Sequence, residues 1–237
     1  MKFARAVACL FQDSHSVAIV HGGHTERAEI EEGETRAAKL CGTAMVQAET
    51  ENRNLVATLS RAAIPALGIC GADGGMCEIR RSHPAGGGDV MELANMNSRW
   101  VEVICGNRGV PVISNVALAS GGEHCLLDAD KLASACAKAW CADALIYLTS
   151  VDGVRDLDGS IIRWLDISYL DILKTKVAVA PDMLGSLRAC REAIESNVGR
   201  VRILPLSHVD CLPSFFSSRI DVGTEVVALH GYSARVS

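Results

Sequence analysis

Val17-Ala18-Ile19-Val20-His21-Gly22-Gly23-His24 is the stretch from which the fold of this chain is read. Ser16 to Val20 is a short buried-strand pattern, the His-Gly-Gly-His turn ends it, and Thr25-Glu26-Arg27-Ala28-Glu29 carries the acidic first turn of a helix. A strand running straight into a helix is the building unit of a parallel sheet. Gly22 and Gly23 leave backbone N–H groups uncovered at a helix N-terminus, an arrangement that binds phosphate or carboxylate oxygens or serves as plain turn chemistry. His21 and His24 make no metal set, because no clustered Cys or carboxylate completes one.

The same alternation continues downstream. A polar and alanine-rich helical region runs from about Glu34 to Arg61, read as two helices, and is followed by a strand, Pro65 to Cys70. The turn cluster Gly71 to Gly75 leads to a second short strand, Met76 to Ile79, and Arg81 to Gly88, with Pro84 and glycines 86 to 88, reads as a loop or flap. Asn97 to Gly106 is a helix, Val110 to Ile113 a strand, Ala119 to Glu123 a glycine-bearing loop and Asp130 to Trp140 a helix. Ala144 to Leu148 reads as a central strand. Met183, Leu187, Cys190 and Ile194 mark one face of a further helix, with Arg188, Arg191 and Glu192 off that stripe. Val201 to Leu204 is a strand, and Thr224 to Leu229 closes the sheet. The predicted fold class is α/β, with a mainly parallel central sheet.

Composition bounds the function. The 237 residues are 49% hydrophobic and 22% charged, which excludes whole-chain disorder. Lys and Arg number 23 against 28 Asp and Glu, a net charge of −5 with no basic run, so nucleic acid is not an expected partner. No apolar stretch is long enough to span a membrane. The apolar run Ala6 to Phe11 is short for a signal sequence and is followed by Gln12-Asp13-Ser14-His15 rather than a small-residue cleavage site, so a cytoplasmic protein is expected. Ten scattered cysteines without a CxxC pair read as reduced core thiols.

Two further segments carry possible chemistry. Leu126-Leu127-Asp128-Ala129-Asp130-Lys131 sets two carboxylates at a helix start, where one can cap orphan N–H groups or orient cations at a phosphoryl-transfer site. Thr149-Ser150-Val151-Asp152-Gly153-Val154 follows a parallel strand at its carboxyl end, the side on which α/β sheets hold ligands, though alone it is an ordinary turn.

The order and spacing of these blocks resemble the amino-acid kinase family, and within it the acetylglutamate kinases. Val17 to Gly23 is similar to the family's strand and His-Gly-Gly loop. Glu51 to Val56, Gly68 to Gly75, Val110 to Ile113, Asp128 to Asp130, Leu148 to Val154 and Gly223 to Val226 follow in the family's order. The resemblance implies a three-layer α/β/α sandwich, one amino-acid kinase-like domain over 1–237. Its 1–115 half would hold an acyl amino acid and its 116–237 half the nucleotide. It implies ATP and Mg2+, a carboxylate acceptor, a place in arginine biosynthesis, and a homodimer built on an N-terminal helix. Gly22, Gly23, His24 and Asp128 would meet the phosphate and substrate, Asp130 would organise the catalytic cations, and Thr149, Ser150, Val151, Asp152 and Gly153 would line the nucleotide pocket.

Several family positions are filled differently here. The family opens on a strand with a Lys-x-Gly-Gly motif; Met1 to Asp13 matches the helix after it, and Lys2 lies in no such motif. A second lysine, three residues after Gly-Gly-Met, aligns with Ser186, although Arg188 is nearby in sequence. The substrate-binding Arg aligns near Gly33, and two substrate-side Asn positions become Leu126 and Asp128. Lost cations cost phosphoryl transfer heavily. Two readings stay open: an ATP-dependent kinase of an acetylglutamate-like carboxylate, and a catalytically impaired homologue that binds a metabolite or regulates a partner.

Overall fold

The computed structural model describes residues 2–22, 34–82, 90–156, 158–169, 181–216 and 221–228. The chain divides between Trp140 and Cys141 into two compact units.

The first unit is built on a parallel three-stranded sheet in the order β1-β5-β2, from β1 (Ile19–His21), β5 (Val110–Ser114) and β2 (Ala66–Cys70). Its register pairs Ile19 with Val112 and Val112 with Gly68, so successive side chains along β5 face opposite layers. Val110 and Val112 meet α1 (Lys2–Gln12) and α2 (Glu34–Arg61) through Ala4, Val7 and Leu59. Ala4, Val7 and Phe11 recur at helical spacing, which gives α1 its apolar stripe. Ile113 faces the other way, into a core shared with α3 (Arg99–Gly106) through Val101 and with α4 (Ala129–Ala139) through Leu132 and Cys136. Both faces of β5 are therefore covered, and all five of its residues are buried. The hairpin β3 (Cys77–Ser82) with β4 (Val90–Met96), and a small hairpin of β6 (Val116–Leu118) with β7 (His124–Leu126), complete the unit.

The second unit holds a four-stranded sheet in the order β8-β10-β11-β9, made of β8 (Ala144–Thr149), β10 (Arg200–Pro205), β11 (Thr224–Val227) and β9 (Trp164–Asp166). β8 runs parallel to β10 and β9 parallel to β11, whereas β10 and β11 are antiparallel. Helix α5 (Pro181–Glu195) packs on β10 and β11, burying Leu187, Ala189, Cys190 and Ala193. Arg202, 2% exposed, lies between Glu225 and Phe215, and Arg200 bonds the same carboxylate through Nε at 3.0 Å while stacking 4.0 Å from the Phe215 ring.

The fold class is α/β with a parallel sheet, as the sequence predicts. Several local expectations are corrected. The 34–61 region is one helix of 28 residues rather than two, since no proline or turn cluster interrupts it. Arg81 and Ser82 extend β3 instead of opening a loop, because β4 pairs with them; 83–88 lie outside the described residues. β8, central by composition, is at one end of its sheet, and β11 is interior because β9 pairs beyond it. The helix start at Thr25 to Glu29 lies outside the described residues.

Burial pushes the Glu225 carboxyl pKa up, but hydrogen bonds and charge from Arg200 and Arg202 more than offset that and hold it low. A depressed carboxylate contributes stability that is complete above its unfolded value of about 4.3 and is lost as pH falls through the folded value. In urea unfolding followed by tryptophan fluorescence, Glu225→Ala, which strands a buried Arg202, is expected to cost about 3–5 kcal/mol at pH 7. The gap between wild type and variant should begin to narrow below about pH 4.3 and go on narrowing as pH falls through the folded value; a gap that does not narrow at all down to acid unfolding would refute the ionic origin.

Candidate functional site

The register of the first sheet sets His21, Ser114 and Cys70 side by side at the carboxyl ends of β1, β5 and β2. By the alternation of the strands all three belong to the face covered by α2. Asn52 of α2, 1% exposed, organises that edge: its Nδ2 donates to the carbonyl of Val112 at 2.8 Å and of Ile69 at 3.3 Å, and lies 3.1 Å from His21 Nε2. An amide nitrogen only donates, so His21 Nε2 accepts and the ring proton resides on Nδ1. Burial lowers the His21 pKa against the pull of Glu51 and Glu49, which favours the neutral ring. Its Nδ1 is buried without a hydrogen-bond partner among the described residues. Ser114 donates its hydroxyl to Glu49 Oε1 at 2.5 Å.

The residue after β5 ties this edge to α4. Asn115, 4% exposed, donates from Nδ2 to the Leu127 carbonyl at 2.6 Å, and Leu127 N–H donates to the Asn115 carbonyl at 2.9 Å. Asn115 Oδ1 is buried without a partner among the described residues. Gly22 lies against the same structure: a Cβ on it would stand 2.8 Å from the Ala129 Cβ and 3.2 Å from Asn115 Nδ2, so only glycine brings the backbone this close to the first residue of α4. Asp128 is the N-cap of α4, its Oδ1 accepting from Asp130 N–H at 2.9 Å and Lys131 N–H at 3.2 Å. Asp130 sits half-buried in the first helical turn.

In the second unit Thr149 ends β8, and its Oγ1 accepts from Val151 N–H at 3.2 Å. Ser150, Val151 and Asp152 are exposed; Asp152 pairs with Arg155 at 3.1 Å, a solvent-facing pair of little energetic weight. Gly153 is buried, and the next N–H, that of Val154, donates to Thr224 Oγ1 on β11 at 2.9 Å. This loop stands beyond the carboxyl end of β8, beside that of its parallel neighbour β10.

Gly22, Asp128 and Asp130 thus belong to one edge of the first unit, and Thr149 to Gly153 to one loop of the second. Gly23 and His24 lie outside the described residues. Sequence reasoning did not single out Asn115, Ser114 or Glu49. The available signal is a polar pair, Ser114-Asn115, closing an otherwise apolar strand at its ligand-facing end. Among the described residues no group of three or more His, Cys, Asp or Glu side chains is placed to hold a metal.

A profile of the amino acid kinase family matches residues 1–205. An acetylglutamate kinase of Acidobacterium capsulatum is 40% identical over 245 aligned residues, covering 96% of this chain and 93% of that one. A second, from Koribacter versatilis, is 35% identical over 96% of this chain and 92% of its own length. Among solved structures, the protein smu.665 of Streptococcus mutans superposes with a TM-score of 0.77 at 20% identity, over 95% of this chain and 91% of that one.

Two substitutions test the construction of this edge by urea unfolding. Asp128→Ala should cost about 1 kcal/mol, while Asp128→Asn, which caps equally well without the charge, should cost almost nothing. Equal loss in both would mean that the charge, not the cap, matters to the fold. Asn52→Ala, which leaves buried carbonyls of two strands without a donor, should cost about 1–3 kcal/mol; wild-type stability would show that the amide is dispensable to the sheet.

Proposed function

Because the chain belongs to the amino acid kinase family, we propose that it transfers the γ-phosphoryl group of MgATP to the carboxylate of an acetylglutamate-like amino acid. The observation that carries this reading is the close approach of Gly22, at the end of the first strand, to Ala129 in the Asp128-Ala129-Asp130 helix start. Glycine there lets the strand end sit against the start of α4, the kind of strand-to-helix edge at which phosphoryl oxygens bind. The relatives named acetylglutamate kinase, aligned over nearly the whole chain, support the acceptor class.

In this reading the 1–115 half holds the acyl amino acid and the 116–237 half the nucleotide, whereas the compact units of the structure divide after Trp140. A carboxylate oxygen of the acceptor attacks the γ-phosphorus, the bond to the β–γ bridging oxygen breaks, its electron pair leaves with ADP, and an acyl phosphate forms. Gly22 and Gly23 receive the phosphoryl oxygens, and His24 and Asp128 border the acceptor. Asp130 orients the cationic groups, and Thr149, Ser150, Val151, Asp152 and Gly153 line the nucleotide. Mg2+ would be held mainly by the nucleotide's phosphates, with Asp130 beside them, and would offset charge on the transferring group. Action as a cytoplasmic homodimer in arginine biosynthesis belongs to this reading on family grounds.

The rival reading, a homologue that binds a metabolite or partner without turnover, is favoured by one observation. Ser186, aligned with the family's second lysine, carries no charge in α5.

Calorimetric titration with MgATP, followed by ADP release in the presence of N-acetylglutamate and related acyl amino acids, separates the two. Saturable MgATP binding with acceptor-dependent ADP release is expected. In that assay Asp130→Asn should abolish turnover while leaving the unfolding transition in place; full activity in the variant would overturn the assignment of Asp130. Absence of MgATP binding by folded protein would shift the conclusion to the regulatory reading.

A further inference from the structure

His21, half-buried at the end of β1, is a titratable group that the proposed transfer does not use. Its contact with α2 has a fixed polarity. Asn52 Nδ2 donates to the carbonyls of Val112 and Ile69, so the amide cannot turn its oxygen to the sheet edge without facing two carbonyl oxygens. His21 Nε2, 3.1 Å from the same nitrogen, therefore accepts. The proton on Nδ1 is buried without a hydrogen-bond partner among the described residues. A protonated ring would carry two donors, one facing an amide donor and the other reaching no acceptor among the described residues. The charged groups around it do not supply one. On α2, Glu49 Oε1 is taken by the Ser114 hydroxyl and Glu51 Oε1 by Gln47 Nε2 at 3.0 Å, and Arg53 is exposed. On α4, which packs on β1, Asp128 is committed to its N-cap, and Asp130 and Lys131 stand in the first turn. β5 and β2 end in the uncharged Ser114 and Cys70, and Lys2 and Arg5 of α1 are exposed. Burial outweighs the attraction of Glu51 and Glu49, so the ring gives up its proton below the ordinary value of 6.5.

We propose that His21 is a positioning residue that keeps the strand edge carrying Gly22 in register only while its ring is unprotonated. Taking a proton turns Nε2 from acceptor to donor, and two donors then face each other. Asn52 keeps its carbonyls on β5 and β2 and releases the end of β1. Gly22 is the next residue, packed so closely on α4 that a Cβ would stand 2.8 Å from that of Ala129, so a shift of His21 disturbs the meeting of strand end and helix start. A folded-state value below the unfolded one gives stability that is complete above about 6.5 and is lost as pH falls through the folded value, the folding constant dropping by up to about tenfold per pH unit in that window. The edge thus loosens in mild acid, before the carboxylates titrate at about pH 4. The effect on phosphoryl transfer rests on the kinase reading; the release of β1 does not.

The test is an NMR titration of the whole protein from about pH 8 to about pH 5, following the His21 ring and the Asn52 side-chain amide, with urea unfolding over the same range. The ring should begin as the Nδ1–H tautomer, and the Asn52 amide protons should shift with the ring's own midpoint, below 6.5. In His21→Gln an amide oxygen takes the place of Nε2 and accepts from Asn52 at every pH. That variant should keep the neutral-pH stability, leave the Asn52 signals flat and abolish the acid loss that the wild type shows below about pH 6.5. Glu51→Gln removes a charge that attracts the proton and should move the midpoint lower still. In the MgATP assay the acid limb of kcat should share the wild-type midpoint and vanish in His21→Gln. The proposal is overturned if the ring is the Nε2–H tautomer, if His21 titrates without moving Asn52, or if His21→Gln keeps the acid loss. Absence of turnover with every acceptor removes the kinase reading alone, and the NMR and unfolding results then decide this proposal by themselves.

Discussion

The hydrogen-bonding of Asn52 is the constraint on which the first unit depends. One side-chain amide, buried to 1% exposure, reaches backbone carbonyls of β5 and β2 and the imidazole that ends β1, so a single residue of α2 addresses all three parallel strands. The cost of burying an amide is offset only when its hydrogens find acceptors, and here they do. The arrangement also dictates its neighbours: a Cβ on Gly68 would overlap Asn52 Oδ1, so β2 carries glycine where the helix comes closest. His21 receives its tautomer from the same contact. Since His21 directly precedes Gly22, the amide that registers the sheet also fixes the residue from which the candidate phosphate turn departs.

The second unit solves a related problem with charge instead of amide. Arg202 is nearly inaccessible on β10, and Glu225 on the adjoining antiparallel strand answers both it and Arg200, with Phe215 stacked against the guanidinium of Arg200. A buried ion group of this kind is weak evidence of net stability, because desolvation opposes the Coulomb gain. It is strong evidence of specificity in pairing. A one-residue slip of β11 would turn Glu225 to the opposite face and leave two guanidinium groups without it.

How far the sequence reveals this structure follows from the range of the forces involved. The strand Val110 to Ile113, the helices around Leu132 and Leu187, and the cap at Asp128 are legible because apolar spacing and capping are local signals. β6, β7 and β9 are three residues each and exist through their partners, so Trp164-Leu165-Asp166 carries no periodicity to read. The position of β8 at a sheet end is likewise set by where β9 and β11 pair. At the candidate site, Gly22 and Asp128 are visible because glycine and capping carboxylates announce turns. Asn115 is not, since an Asn after a strand reads as a turn residue, and its burial comes from the bond to Leu127, twelve residues away. The break between units falls after α4 because that helix packs on β1 and β4 of the first unit, a long-range choice that no linker composition marks.

The geometry of α5 bears on whether a neighbouring cation can stand in for the uncharged Ser186. Residues Pro181 to Glu195 form one helix, in which two positions are separated by about 200° around the axis. Leu187, between Ser186 and Arg188, is buried, whereas Arg188 is exposed. Sequence proximity therefore does not become spatial equivalence, and Arg188 presents its charge to a different side of the helix from Ser186. Nor does the α4 N-terminus offer its full positive end, because the Asp128 carboxylate already occupies two of its N–H groups. Gly22 itself packs against Ala129 and Asn115, so at this edge the described chain sets the Asp128 and Asp130 carboxylates beside the exposed Lys131.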